Sequence, residues 1–343
     1  MLIASASGLR SFEELMSSSA SNIQLRTTKS TPIQATKPNK VNPSWLPDLI
    51  DAHLEIEAEA AKSAGALGFV ARSLVLATMP YKNPNVDVFT RVNGDFRLRI
   101  VAGAHGIPFG IYPRLLTTWL ATEVVRTQSS TIQLGDSLSK FLYDVMDIKS
   151  KSGGDRSASN CVLEQMKKLF GATISAEYRN SDPATGKSLS VRNIQIASSF
   201  NLKDEIGLWQ PQDVETSGWH SQLKLSHEFF MECLENPVPI DLRAYKALRN
   251  ANAPAAMDIY TWLTFRLSYV KSRTRPMPWE SLMMQFGHGY DMTNVNEAVK
   301  GFKKGFLKNL QLVHIVYPEA KFEINKRGLV LLPSRTHIPR VIL

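Results

Sequence analysis

The chain has 343 residues, 43% of them hydrophobic and 21% charged, an ordinary make-up for a globular protein long enough to bury two cores. No apolar run approaches the ~18 residues needed to cross a bilayer, and the start, MLIASASGLR, lacks the basic segment of a secretory signal, so a cytoplasmic protein without a membrane partner is expected. The net charge of +9, with a pI near 9.4, points to an anionic partner but does not choose among nucleic acid, acidic protein and membrane surface.

Where the charge sits says more. From Asp241 to Leu343 there are 16 Lys plus Arg against 7 Asp plus Glu, so the first 240 residues hold 24 of each and cancel. All of the net charge lies in the last third.

In chain order, residues 1–44 are rich in Ser, Thr, Asn, Lys and Pro and carry little apolar periodicity, which predicts a disordered tail with one short helix near Phe12 to Met16. A helix is expected over YPRLLTTWLATEVVRT (Tyr112 to Thr127), then strand character in QSSTIQL, then a shorter helix over Gly135 to Met146. The turn IKSKSGGDRSAS leads to a helix over Asn160 to Phe170, and two strands, ATISAEYR and LSVRNIQIASSF, flank the turn NSDPATGKS. ENPVPID, Glu235 to Asp241, reads as an extended linker, because proline removes amide donors and disfavours helix before it.

Beyond that linker the order repeats. A helix over Ala255 to Val270 is followed by KSRTRPMP, the short helix WESLMMQFG, the polar run GHGYDMTN and a lysine-rich helix. Two strands, LVHIVYP and KFEINKRGLVLLP, joined by the turn PEA, close the series. Helix, short helix, turn, helix and hairpin is the order of a winged helix, a helix-turn-helix followed by a β-hairpin wing. The expected fold is therefore α+β, two tandem winged-helix domains over 45–236 and 237–335, with tails at 1–44 and 336–343.

A winged helix can place its third helix in the major groove while its wing reaches the backbone, which calls for polar and cationic residues on both. At about 100° per residue, Val295, Val299, Phe302, Phe306 and Leu310 share an arc of roughly 80° that predicts a buried stripe. Asn294, Asn296, Lys300, Lys303, Lys304 and Lys308 then fall to the flank and far side, with Lys321, Lys326 and Arg327 in the hairpin. Lysines would neutralise phosphates, and Asn294 and Asn296 could pair with adenine edges; a solvated surface helix is the competing reading.

In the first half, Val162, Leu163, Met166, Leu169 and Phe170 form the expected buried side, leaving Asn160, Glu164, Gln165 and Lys168 outward and Lys167 at the edge. Arg156, Ser157 and Ser159 precede or open that helix, where exposed amides could receive a phosphate, and Arg179, Lys187 and Arg192 lie on or beside the wing. Base reading and a protein-protein role both remain open for this helix. Arg273 and Arg275 could clamp a phosphate or belong to a solvated connector, whereas Trp279 and Phe286 recur at core spacing.

The pattern shows no catalytic constellation. There is no GxxxxGK[ST] loop, GxSxG elbow or HExxH helix, and Cys161 and Cys233 have no zinc spacing and read as core fillers. His220 and His227, seven apart, read as ordinary helix-face residues, and Gly287-His288-Gly289 lacks the second histidine that nicking chemistry needs. A protein without enzymatic activity, cofactor or metal is expected.

The runs GIPFGIYPRLLTTWLATEVVRT, LGDSLSKFLYDV, LEQMKKLFGATIS, NPVPIDLRAYKAL, MDIYTWLTFRLSYV and PWESLMMQFG resemble, in order, the signature segments of the RepA-type replication initiators of broad-host-range plasmids, over roughly Pro43 to Pro333. The resemblance implies binding to direct repeats (iterons) at a plasmid origin, opening of adjacent AT-rich DNA and recruitment of the host initiator and helicase. It further implies a homodimer formed through the first domain that represses its own promoter, and pairing between plasmids that limits copy number. By position it places Lys167 and Lys168, and Asn296, Lys300, Lys303 and Lys304, against DNA. RSASNCV, before the first of these helices, is less basic than the family pattern. A winged-helix repressor without a replication role is the alternative.

Overall fold

The computed structural model describes residues 43–134, 141, 143, 158–182, 186–199, 222–235, 237–287, 289–290 and 292–339. The expected tail and its short helix, most of the helix expected at Gly135 to Met146, the SGGDRS turn and His220 lie outside them.

The first elements are α1 (Leu46–Ala58), β1 (Leu67–Ala71), α2 (Arg72–Leu76), β2 (Val88–Asn93), β3 (Phe96–Val101), α3 (Ile111–Thr127) and β4 (Thr131–Gln133). Next come α4 (Ala158–Gly171), β5 (Thr173–Asp182), β6 (Gly186–Gln195), β7 (Ala197–Ser199), β8 (Gln222–Leu225) and α5 (His227–Glu235). The last third holds β9 (Pro237–Asp241), α6 (Leu242–Asn250), α7 (Pro254–Leu267), β10 (Met277–Pro278), α8 (Trp279–Phe286), α9 (Val295–Val316), β11 (Phe322–Ile324) and β12 (Gly328–Leu331).

The helices α3, α4, α7 and α8 and the strands β4, β5 and β6 fall where periodicity places them. The hairpin β5/β6 does not stand alone. β5 also pairs with β3, and β3 with β2, giving an antiparallel sheet in the order β2-β3-β5-β6. The β2/β3 hairpin turns at Gly94-Asp95, with Gly94 at φ 57°, a backbone state that glycine adopts without steric cost.

Three expectations are corrected. LVHIV, expected as a strand, completes α9: its apolar side chains Leu312, Val313 and Val316 are buried in helical phase with Phe302, Phe306 and Leu310. Both strands of the final hairpin lie instead within KFEINKRGLVLLP, and PEA connects helix to hairpin. The third concerns ENPVPID, which is extended but not a free linker. Its residues 237–241 form β9, antiparallel to β1 with Leu67 opposite Asp241 and Ala71 opposite Pro237.

That pairing joins the two halves of the chain. Asp241 ends β9 and caps α6, accepting the Arg243 amide at 2.9 Å. The Arg243 guanidinium then holds the carbonyls of Glu55 and Glu59 at the end of α1 (2.8 and 2.9 Å), where a cation favours the helix dipole. Deeper in, Arg114 of α3 makes a two-point ion pair with Asp258 of α7 (2.8 and 2.7 Å) and donates to the carbonyls of Met79, Pro80 and Gly110. Arg91 of β2 donates to the carbonyl of Gly287, and Thr78 to that of Gln285 at 3.0 Å. A single apolar cluster runs from Leu49 to Leu331.

Candidate nucleic-acid interface

α9 is the longest described helix, 22 residues or about 33 Å. Asn294 caps it, its side-chain oxygen accepting the Glu297 amide at 3.2 Å. Ala298, Phe302, Phe306, Leu310 and Val313 are buried, and Asn296, Lys300, Lys304 and Lys308 occupy the opposite arc, about 120° wide, all exposed. Val295, expected in the stripe, is 46% exposed: it has the right phase but is the first residue of the helix.

Under α9 the aromatic rings of Trp262, Trp279, Phe286, Phe302 and Phe306 form a chain of tilted and edge contacts, with centroids 5.4 to 6.1 Å apart. Trp279 and Phe286 are thus core, as their spacing predicts. The hairpin follows directly, and the strand order β10-β12-β11 folds the short strand before α8 into the same small sheet.

The cations of this surface differ in freedom. Lys304 and Lys308 have no side-chain partner among the described residues, while Lys300 pairs with Glu297 at 2.7 Å in the open, a pair of little strength. Lys303 is half-buried with its ammonium 4.8 Å from the centre of the Trp279 ring, and that partial burial lowers its pKa. Lys326 and Arg327 are exposed at the hairpin tip, and Lys321 is exposed at the foot of β11. Arg273 pairs with Glu323 of β11 at 2.7 Å, and Arg275 is exposed two residues on.

The first half offers less. Asn160 and Glu164 face outward on α4 and Lys167 is half-buried, but Gln165 and Lys168, expected outward, are only 4% and 7% exposed. The loop 103–110 covers that side of α4: Gln165 accepts the Phe109 amide at 2.8 Å, and Lys168 lies over the Phe109 ring while pairing with Glu164. Helical phase cannot reveal a loop arriving from another part of the chain. Arg179 is exposed on β5, Lys187 lies on β6 opposite Ser181, and Arg192 is divided between Glu232 and Glu235, each at 3.3 Å. Arg156 and Ser157 lie outside the described residues. Cys233 is buried and its thiol pushed strongly up by desolvation, and Cys161 is a half-buried free thiol. No group of His, Cys, Asp and Glu with the arrangement of a metal site occurs among the described residues. None of the described helices is long and apolar enough to cross a membrane.

Fold and surface together define a basic protein of mixed helix and sheet that presents a lysine-faced helix beside a short hairpin. Residues 107–280, half of the chain, match the family of the plasmid encoded RepA protein, and the chain belongs to that family. Among solved structures the chain is matched to domains 2 and 3 of RctB, as a selenomethionine derivative (10% identity, TM-score 0.41, 78% of this chain and 100% of that one) and in a second structure of domains 2-3 (12%, 0.40, 76% and 96%). No curated protein matches the chain.

Proposed function

We propose that this chain initiates plasmid replication by binding direct repeats at the origin, and that residues 254–331 act as a winged helix whose α9 lies in the major groove. The observation that carries this reading is the open cationic face of α9, Lys300, Lys304 and Lys308 with Asn296, beside the Lys326-Arg327 hairpin tip, in the third of the chain that holds all the net charge. An α-helix fits the major groove, lysines supply salt-sensitive phosphate affinity, and Asn296 can pair with an adenine edge. The half before β9 acts as a second module with weaker DNA contact, since its helix α4 is flanked by a loop and offers Lys167 beside Glu164. Its remaining tasks are self-association, promoter repression and pairing between bound plasmids. Opening of AT-rich DNA and recruitment of the host initiator and helicase complete the proposed role, which is non-enzymatic and cytoplasmic.

The test is a footprint of the full chain on its plasmid's replication region across a salt series. Regularly spaced protection beside an AT-rich tract, weakening steeply with salt, is the expected result. One protected palindrome would instead make the protein a repressor, absence of sequence preference would overturn base reading, and metal-dependent nicking of supercoiled origin DNA would overturn the non-enzymatic assignment.

A further inference from the structure

The tip of the β11/β12 hairpin is built from an unlikely pair of residues. Asn325 and Gly328 close the ladder, the Asn325 amide bonding the Gly328 carbonyl at 3.1 Å, so the two-residue loop is Lys326-Arg327. Two-residue hairpin loops favour turns with one or two positive φ angles, normally supplied by glycine or asparagine. Neither Lys326 nor Arg327 has a positive φ. The turn is held by other means. The Asn325 side-chain oxygen accepts the amides of both Arg327 and Gly328 at 2.9 Å, and the buried indole N–H of Trp279 donates to the Asn325 carbonyl at 3.2 Å. Gly328 lets the strand pass against β10, where a Cβ would meet the Met277 carbonyl. Trp279 itself is fixed between Phe306 of α9 and the ammonium of Lys303.

We infer that Trp279 and Asn325 are positioning residues that hold Lys326 and Arg327 as a rigid two-cation tip, set at a fixed distance from α9, for the DNA backbone beside the groove that α9 enters. This rests on the winged-helix reading above. A loop of two long cationic side chains on a mobile turn would lose conformational freedom on every binding event, and a turn fixed in advance avoids that loss. Lys303 is part of the same bracket: its ammonium lies on the Trp279 ring, so it ties helix to hairpin and is not counted among the phosphate contacts.

The experiment is a double-mutant cycle on duplex origin DNA, read as affinity and as the slope of log K against log salt. Lys326→Ala with Arg327→Ala should lower that slope by about 1.8, two phosphate contacts at about 0.9 each. Trp279→Phe, which keeps a ring but loses the N–H, and Asn325→Ala should each weaken binding about 3- to 10-fold, the cost of ordering one or two long side chains. In the background lacking both tip cations, the same changes should weaken binding less than 2-fold. Equal losses in both backgrounds would reduce Trp279 and Asn325 to general structural roles and overturn the inference, and two independent variants guard against one failing to fold. A tip change that leaves the slope untouched, while Lys304→Ala lowers it, would overturn the inference and leave the DNA-binding reading standing. Salt-independent binding by the unaltered chain would overturn both.

Discussion

His337 lies against Tyr317, with ring centroids 4.5 Å apart, and meets Tyr260 edge-on; its Nδ1 is 2.7 Å from the Tyr260 hydroxyl oxygen. That hydroxyl also accepts the Asp241 amide at 2.9 Å and lies 3.5 Å from the Asp241 carbonyl oxygen, so Tyr260 ties the ring to the end of β9. The ring is half-buried, yet its Nε2 is closed off from solvent without a partner among the described residues. Burial accordingly lowers the imidazole pKa to about 4, against some counter-pull from Asp241 and Glu319. The folded pKa lies below the unfolded value of about 6.5, so the unfolded chain binds more protons between the two. The contribution of His337 to stability should be flat above pH 6.5 and fall by up to roughly 3 kcal/mol as pH drops towards 4. Urea unfolding of the wild type and His337→Phe at pH 7, 5.5 and 4.5 checks this, because the variant keeps a ring between the tyrosines and should lose the His337 share of the slope, leaving that of His314, whose pKa burial also lowers. An unchanged slope would place its source elsewhere.

Asn294 and Asn296 are alike in sequence terms, but α9 assigns them different tasks. Asn294 is the helix cap, and Asn294→Ala should remove about 1 kcal/mol of stability and weaken cognate and random DNA alike. Asn296, on the exposed arc, should lose roughly 1–3 kcal/mol on the cognate repeat and little on random DNA when changed to alanine. Binding isotherms on both DNAs separate the two, and equal losses at Asn296 would remove its base-reading role. The apolar stripe of α9 was legible because Phe302, Phe306 and Leu310 recur at helical spacing; the helix end was not, since LVHIVY suits a strand locally and only packing against the core makes it helix. The β2/β3 hairpin does have a local signal, the Gly94-Asp95 pair between runs of alternating apolar residues. The buried state of Gln165 and Lys168 carried none, because Phe109 reaches them from more than fifty residues away.

At the scale of the whole molecule, proline-rich composition at ENPVPID suggests two bodies on a tether, whereas hydrogen bonding from β9 to β1 argues for mechanical continuity. Nothing in a one-dimensional pattern announces that partner, since the paired residues of Leu67–Ala71 lie 166 to 174 residues upstream. The consequence concerns unfolding. Arg114 and Asp258 are both buried, and their ion pair, the Arg91–Gly287 bond and the Thr78–Gln285 bond all cross between the halves. Opening one half would strip partners from charged groups in the other, so the described core should melt as one unit in a single calorimetric transition whose van't Hoff and calorimetric enthalpies agree. Asp258→Ala should then cost about 3–5 kcal/mol, because it leaves the Arg114 guanidinium buried without its counter-charge. Replacing Arg114 and Asp258 together by apolar residues should recover much of that loss, since the isolated charge and not the missing attraction is what destabilises. Two separated transitions in the unaltered protein, with Asp258→Ala shifting only one, would show instead that the halves fold independently and that the buried pair serves one of them alone.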